Sequence, residues 1–111
     1  MSPDVLETGR LLADVGGTNA RFAWQADAGA PLTDVRVLPA ADFPTLQTAM
    51  HAYLAGLGRG RPAMAAIAIA NPITGDQVRM TNHHWAFSQA ALKAEFGLAH
   101  LRLLNDFTAL A

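Results

Sequence analysis

The chain contains no cysteine. That excludes a disulfide framework, a cysteine-built zinc site and thiol chemistry. Charge is scarce too. Only 15% of residues are Asp, Glu, Lys or Arg, and eight basic against nine acidic residues leave a net charge of -1. No global field of one sign draws nucleic acid or an anionic membrane, so neither is expected as a partner. Long apolar runs are missing as well. The longest, residues 63–70, is far below a membrane span. The N-terminus, Met1-Ser-Pro-Asp-Val-Leu-Glu7, lacks the basic-then-apolar order of a secretory signal. Lysine is reduced to Lys93, beside seven arginines. What is present is a half-apolar chain, 51% hydrophobic over 111 residues. That suits one globular, cytoplasmic domain with a single core and disfavours disorder.

The organisation follows from periodicity. Residues 11–15 are a short apolar run that stops at Gly16-Gly17. Residues 20–24 place Ala20, Phe22 and Trp24 on one face, and 34–38 alternate again before Pro39. Three short strands with brief turns predict an antiparallel meander. The period then changes: Leu46, Ala49, Met50, Tyr53, Leu54 and Leu57 recur at helical spacing after Pro44 and Thr45. Glycines 56, 58 and 60 with Pro62 end that helix. Residues 63–70, apolar throughout, read as a strand buried on both faces. Residues 71–76 read as a turn, with 77–80 as a return strand. Ser88 caps a helix that Gly97 terminates, 100–104 form a strand, and Asn105-Asp106 cap a helix beginning at Phe107. The order predicts an α/β layer fold whose fourth and fifth strands run parallel to the first, with ligands beyond their carboxyl ends.

The most informative stretch is Asp14-Val-Gly-Gly-Thr-Asn-Ala-Arg21. Gly-Gly alone is an ordinary hairpin turn. Here the glycines permit backbone geometry closed to other residues and leave no side chain between the main-chain N–H groups and an anion. Thr18 and Asn19 add neutral donors, and Arg21 adds a cation. Asp14 suits a magnesium ion, reached through water, because magnesium keeps much of its hydration. No Walker loop is present, since that needs Gly-Lys-Ser/Thr and a following helix. Gly56-Leu-Gly-Arg-Gly60 follows a helix and has Arg61 where a dinucleotide fingerprint needs glycine.

This stretch resembles the first phosphate motif of bacterial ATP-dependent glucokinases, sugar kinases of the actin/hexokinase/Hsp70 superfamily. Three further stretches resemble the same family in the same order: Ala68-Ile-Ala-Asn-Pro-Ile-Thr-Gly-Asp76, Met80-Thr-Asn-His-His-Trp-Ala-Phe-Ser88 and Leu103-Leu-Asn-Asp-Phe-Thr-Ala109. The resemblance implies a ribonuclease-H-like mixed sheet, a three-strand meander plus parallel strands, with flanking helices. It implies ATP, Mg2+ and glucose as ligands. It carries Ala13, Asp14, Val15, Gly16, Gly17, Thr18, Asn19 and Arg21 over as the nucleotide-binding turn, Asp14 as the magnesium residue through water, Asp106 as the catalytic carboxylate, and Asn105 with Asp106 as sugar ligands. The chemistry agrees. A loose phosphoryl-transfer transition state needs only an ordinary carboxylate to take the hydroxyl proton, and an amide supplies both the donor and the acceptors a sugar hydroxyl requires.

The resemblance places 81–85 near the sugar cleft. There Trp85 either packs on a sugar face or anchors the loop in the core, and core packing is the favoured role. Adjacent His83 and His84 project differently and make a poor metal pair; His51 and His100 are expected to be structural or exposed. Family members are much longer than 111 residues and continue into a second domain with a second phosphate motif and the adenosine pocket. The expectation is therefore an incomplete N-terminal domain over residues 1–111, inactive alone. Three alternatives stay open: a kinase for another hexose or an N-acylhexosamine, a related sugar-responsive repressor, and a self-associating fragment. The repressor is disfavoured because only residues 1–10 precede the first strand. A homodimeric parent enzyme also stays open.

Overall fold

The computed structural model describes residues 9–27, 29–58, 61–69, 75–79 and 85–104. Its main element is a five-stranded mixed sheet. Strands β1 (Arg10–Val15), β2 (Asn19–Gln25) and β3 (Leu32–Pro39) form the expected antiparallel meander. Helix α1 (Leu46–Leu57) leads into β4 (Met64–Ile69), which runs parallel to β1 on its other edge. After the short strands β5 (Gln77–Arg79) and β6 (Ala86–Ser88), helix α2 (Gln89–Phe96) leads into β7 (His100–Leu104), parallel to β4. The strand order is β3-β2-β1-β4-β7. The fold is thus α/β, with the fourth and fifth strands of the sheet parallel to the first. Among the described residues, no helix is long and apolar enough to cross a membrane.

Local chemistry explains the elements. Thr45 opens α1 as a capping box: its hydroxyl accepts from the Thr48 amide at 3.1 Å, and the Thr48 hydroxyl accepts from the Thr45 amide at 3.1 Å. Leu46, Ala49, Met50 and Tyr53 form the buried stripe, and Gly58, left-handed at φ 71°, closes the helix. Ser88 caps α2 by accepting from the Ala91 amide at 3.1 Å, and Gly97 ends it at φ 62°. Strand β4 is buried along nearly its whole length, as an all-apolar central strand should be.

The principal core lies on one face of the sheet. Leu11, Ala13, Val15, Phe22, Ile67 and Ile69 meet Met50 and Tyr53 of α1 and Leu92 and Phe96 of α2. Phe22 and Tyr53 stack with centroids 5.3 Å apart. The Tyr53 hydroxyl donates to the Asp34 carbonyl at 2.9 Å. Asp34 sits at the register shift between β2 and β3 with φ 55°, where its short polar side chain tolerates the left-handed region. The opposite face holds a smaller cluster of Leu12, Ala23 and Ala66, with Leu104 against it.

One expectation is corrected. Residues 77–79 do not return along β4. They pair antiparallel with Ala86–Ser88 in a separate two-stranded sheet, Val78 opposite Phe87. Both edges of β4 are already occupied, by β1 and by β7, so no place remains there for a return strand. The cap at Asn105-Asp106, the helix from Phe107, and His83 and His84 lie outside the described residues.

Candidate functional site

The site forms where β1 turns into β2. Val15 pairs with Ala20 across the strands, and the Gly16 amide donates to the Asn19 carbonyl at 2.9 Å, closing a tight turn over Gly16, Gly17, Thr18 and Asn19. All four residues are exposed. Within the described residues the Gly17 and Thr18 amides find no internal acceptor. The turn is fixed from outside by the segment that follows β3, where the Ala40 amide donates to the Thr18 carbonyl at 2.8 Å. The Asn19 side-chain amide donates to the Thr18 hydroxyl at 3.2 Å.

The glycines do not use the unusual backbone that they permit. Neither Gly16 nor Gly17 has a positive φ; among the described residues that conformation belongs to Gly29, Gly58, Gly97 and Asp34. Steric crowding does not demand them either. A Cβ at Gly16 would meet only the Asn19 carbonyl at 3.7 Å, and one at Gly17 would meet nothing within 4 Å. Their missing side chains leave the turn's amides bare to the outside.

Asp14 and Arg21 face each other across β1 and β2 and so project from the same face. They form no ion pair with each other. Together with Gly16, Thr18, Asn19 and Val37 they line an open cleft of about 420 Å³. A cation, an anion, two hydrogen-bonding side chains and bare amides therefore share one concave surface, an arrangement that accommodates a phosphate with its counter-ion. Ala13 and Val15 turn their side chains into the core, so only their backbone is available to a ligand. Val37 joins the lining although sequence reasoning did not select it. Its position opposite Arg21 was the available signal, because strand pairing brings it beside that residue.

Among the described residues, no three His, Asp or Glu side chains cluster to hold a metal. One partly exposed carboxylate is still compatible with magnesium, which binds through one or two carboxylates plus substrate phosphates and water, and Asp14 is such a carboxylate. Trp85 is fully buried, and its indole donates to the Phe43 carbonyl at 2.9 Å, so it anchors its segment in the core as favoured. His51 is exposed; it contacts the Glu95 carboxylate at 2.7 Å and stacks on Phe96. Asn105 and Asp106 lie outside the described residues, directly after β7 and beyond Leu104.

Comparison with known proteins agrees with this architecture. The family profile named Glucokinase matches residues 11–111. The chain is 57% identical over 102 residues to the bifunctional protein glk of Burkholderia thailandensis, covering 92% of this chain and 16% of that protein. It is 55% identical over 102 residues to the glucokinase of Chromobacterium violaceum, covering 92% and 29%. Among solved structures, the glucokinase of an Antarctic psychrotroph superposes with a TM-score of 0.82 at 40% identity, covering 93% of this chain and 34% of that one. The chain thus spans between about a sixth and a third of the proteins it matches. It belongs to the glucokinase family.

Proposed function

We propose that residues 1–111 are part of the N-terminal lobe of a two-lobed sugar kinase, and that the whole protein transfers the γ-phosphoryl group of ATP to the 6-hydroxyl of glucose. The observation that carries the reading is the bare turn. Among the described residues, Gly16 and Gly17 have neither a left-handed backbone nor a crowded neighbour to account for them, and the cleft beside them is lined by a carboxylate and a guanidinium that form no ion pair with each other.

In this reading the Gly17 and Thr18 amides, with Thr18 and Asn19, hold the terminal phosphates of ATP, and Arg21 balances their charge. Ala13 and Val15 contribute backbone only. Asp14 would hold Mg2+ through water, and the ion would supply positive charge for the phosphate oxygens. Asn105 orients the sugar through its donor and acceptors. Asp106 accepts the proton of the 6-hydroxyl while that oxygen bonds the γ-phosphorus and the bond from the γ-phosphorus to the bridging oxygen breaks, releasing ADP. No covalent enzyme intermediate is needed.

The test is glucose-dependent ADP release by the whole protein, with mannose and an N-acylhexosamine as competing acceptors. Asp106→Asn is expected to lower kcat by about a hundredfold or more with folding retained; near-normal turnover refutes the assignment. The 111-residue chain alone should give no catalytic turnover, since half a phosphate clamp cannot align donor and acceptor. Turnover by that chain refutes the two-lobe reading.

A further inference from the structure

Between β3 and α1 lies a single 3-10 turn, Ala40–Asp42. It touches two distant parts of the chain. At its start the Ala40 amide donates to the Thr18 carbonyl at 2.8 Å. Just past its end the Phe43 amide donates to the Ala40 carbonyl at 3.2 Å, and the Phe43 carbonyl accepts from the Trp85 indole at 2.9 Å. Three consecutive hydrogen bonds thus run from Trp85 to the phosphate turn. The near part of this relay is firmly held, because Trp85 and Ala40 are both buried in the principal core. The far end is exposed and has few other restraints. Thr18 lies outside β1 and β2, and its carbonyl is held by Ala40. The peptide bonds are trans, so a carbonyl aimed at Ala40 turns the next amide, that of Asn19, the opposite way, toward the β1 side of the turn.

We propose that Trp85 is a positioning residue for the phosphate turn: through Phe43 and Ala40 it anchors the Thr18 carbonyl, and with it the turn that presents the Gly17 and Thr18 amides, and so sets nucleotide affinity. The inference rests on the nucleotide reading of the turn given above. It predicts coupling between Trp85 and Ala40, the signature of a physical network rather than of separate packing roles.

The experiment measures affinity for a fluorescent ATP analogue, and thermal midpoint, in the whole protein. Trp85→Phe removes the indole donor and keeps an aromatic ring. Ala40→Pro removes the amide donor at the first position of the turn, where proline is tolerated. The preceding Pro39, extended at φ -67° and ψ 128°, is compatible with a following proline. Each variant is expected to weaken nucleotide binding by about three- to tenfold, the cost of one hydrogen bond, and the double variant by no more than the worse single one. Should Trp85→Phe fail to fold, 3-benzothienylalanine at position 85 keeps the ring shape without the donor. Unchanged affinity in either single variant, even with a lowered midpoint, overturns the proposal. So does a double variant whose loss is the product of the two. A wild-type protein that binds nucleotide but phosphorylates no hexose refutes the kinase reading alone, and the affinities still decide the coupling. One that binds no nucleotide refutes both.

Discussion

At the start of β1, a methyl group added to Gly9 would sit 2.0 Å from Cζ2 of Trp24, inside a rigid indole ring. At the end of the same strand, one added to Gly17 would meet nothing within 4 Å. Gly9 is buried and its carbonyl accepts from the Ala63 amide at 2.7 Å; Gly17 is exposed and its amide has no acceptor among the described residues. The fold therefore accounts for the first glycine completely and for the second not at all. Two carboxylates divide the same way. Asp76 is engaged within the chain, accepting from the Ser88 hydroxyl at 2.5 Å and the Ala90 amide at 2.8 Å. Asp14 has no such partner among the described residues and lines the cleft. Groups that the fold leaves unexplained gather at one end of β1, and a site is recognised by that concentration.

The largest expected effect lies at the packed end. Gly9→Ala should destabilise the protein by about 3 kcal/mol, because an indole cannot yield as a flexible side chain would. Denaturant unfolding reads the loss, and nucleotide affinity of the folded fraction should be unaltered. Near wild-type stability would remove the contrast between the two ends.

The complementary change is Gly17→Val. With no positive φ and open space around it, the stability change should stay within about 0.5 kcal/mol. Nucleotide affinity should fall by about tenfold or more, since a branched side chain covers the adjacent amide and its charge-assisted hydrogen bond is lost. A variant that unfolds would show the glycine to be structural. A variant that binds nucleotide normally would show the open turn to be incidental.

Much of this was legible in the sequence because the signals were local. The capping residues Thr45 and Ser88, the closing Gly58 and Gly97, the period-two meander and the apolar β4 each act within a few residues. The turn of the candidate site was legible for the same reason: Asp14 to Arg21 is one hairpin. What failed was long-range or too short to carry a period. Strand β6 has three residues, too few to show alternation, and its partner β5 was assigned to a return along β4 because nothing local states that both β4 edges are filled. Gly9 against Trp24, and Trp85 against Phe43, depend on tertiary packing that no spacing announces. Which use Gly16 and Gly17 serve was left open, because glycine has two, unusual backbone and empty space, and composition does not distinguish them.

The smallest expected effect concerns the engaged carboxylate. Asp76 is held below the ordinary aspartate value, first by the Ser88 hydroxyl and then by the Ala90 amide, against a small opposing effect of desolvation. A lowered folded value means that the ionised form is favoured by folding. Its contribution is fully present above the ordinary value and is lost as pH falls from there through the lower folded value. Wild-type stability should therefore decline with acid below about pH 4, and Asp76→Asn should flatten that part of the decline, because the variant already lacks at neutral pH the contribution that wild type loses in acid. Ser88→Ala should flatten it in the same direction, since the hydroxyl is the larger cause. At neutral pH, Asp76→Asn should leave nucleotide affinity as it is, whereas Asp14→Asn should weaken it only when magnesium is present. Equal losses from the two substitutions would mean that Asp14 and Asp76 do not differ in kind. The distinction between a carboxylate engaged by the fold and one left for a ligand would then fail at its most direct point.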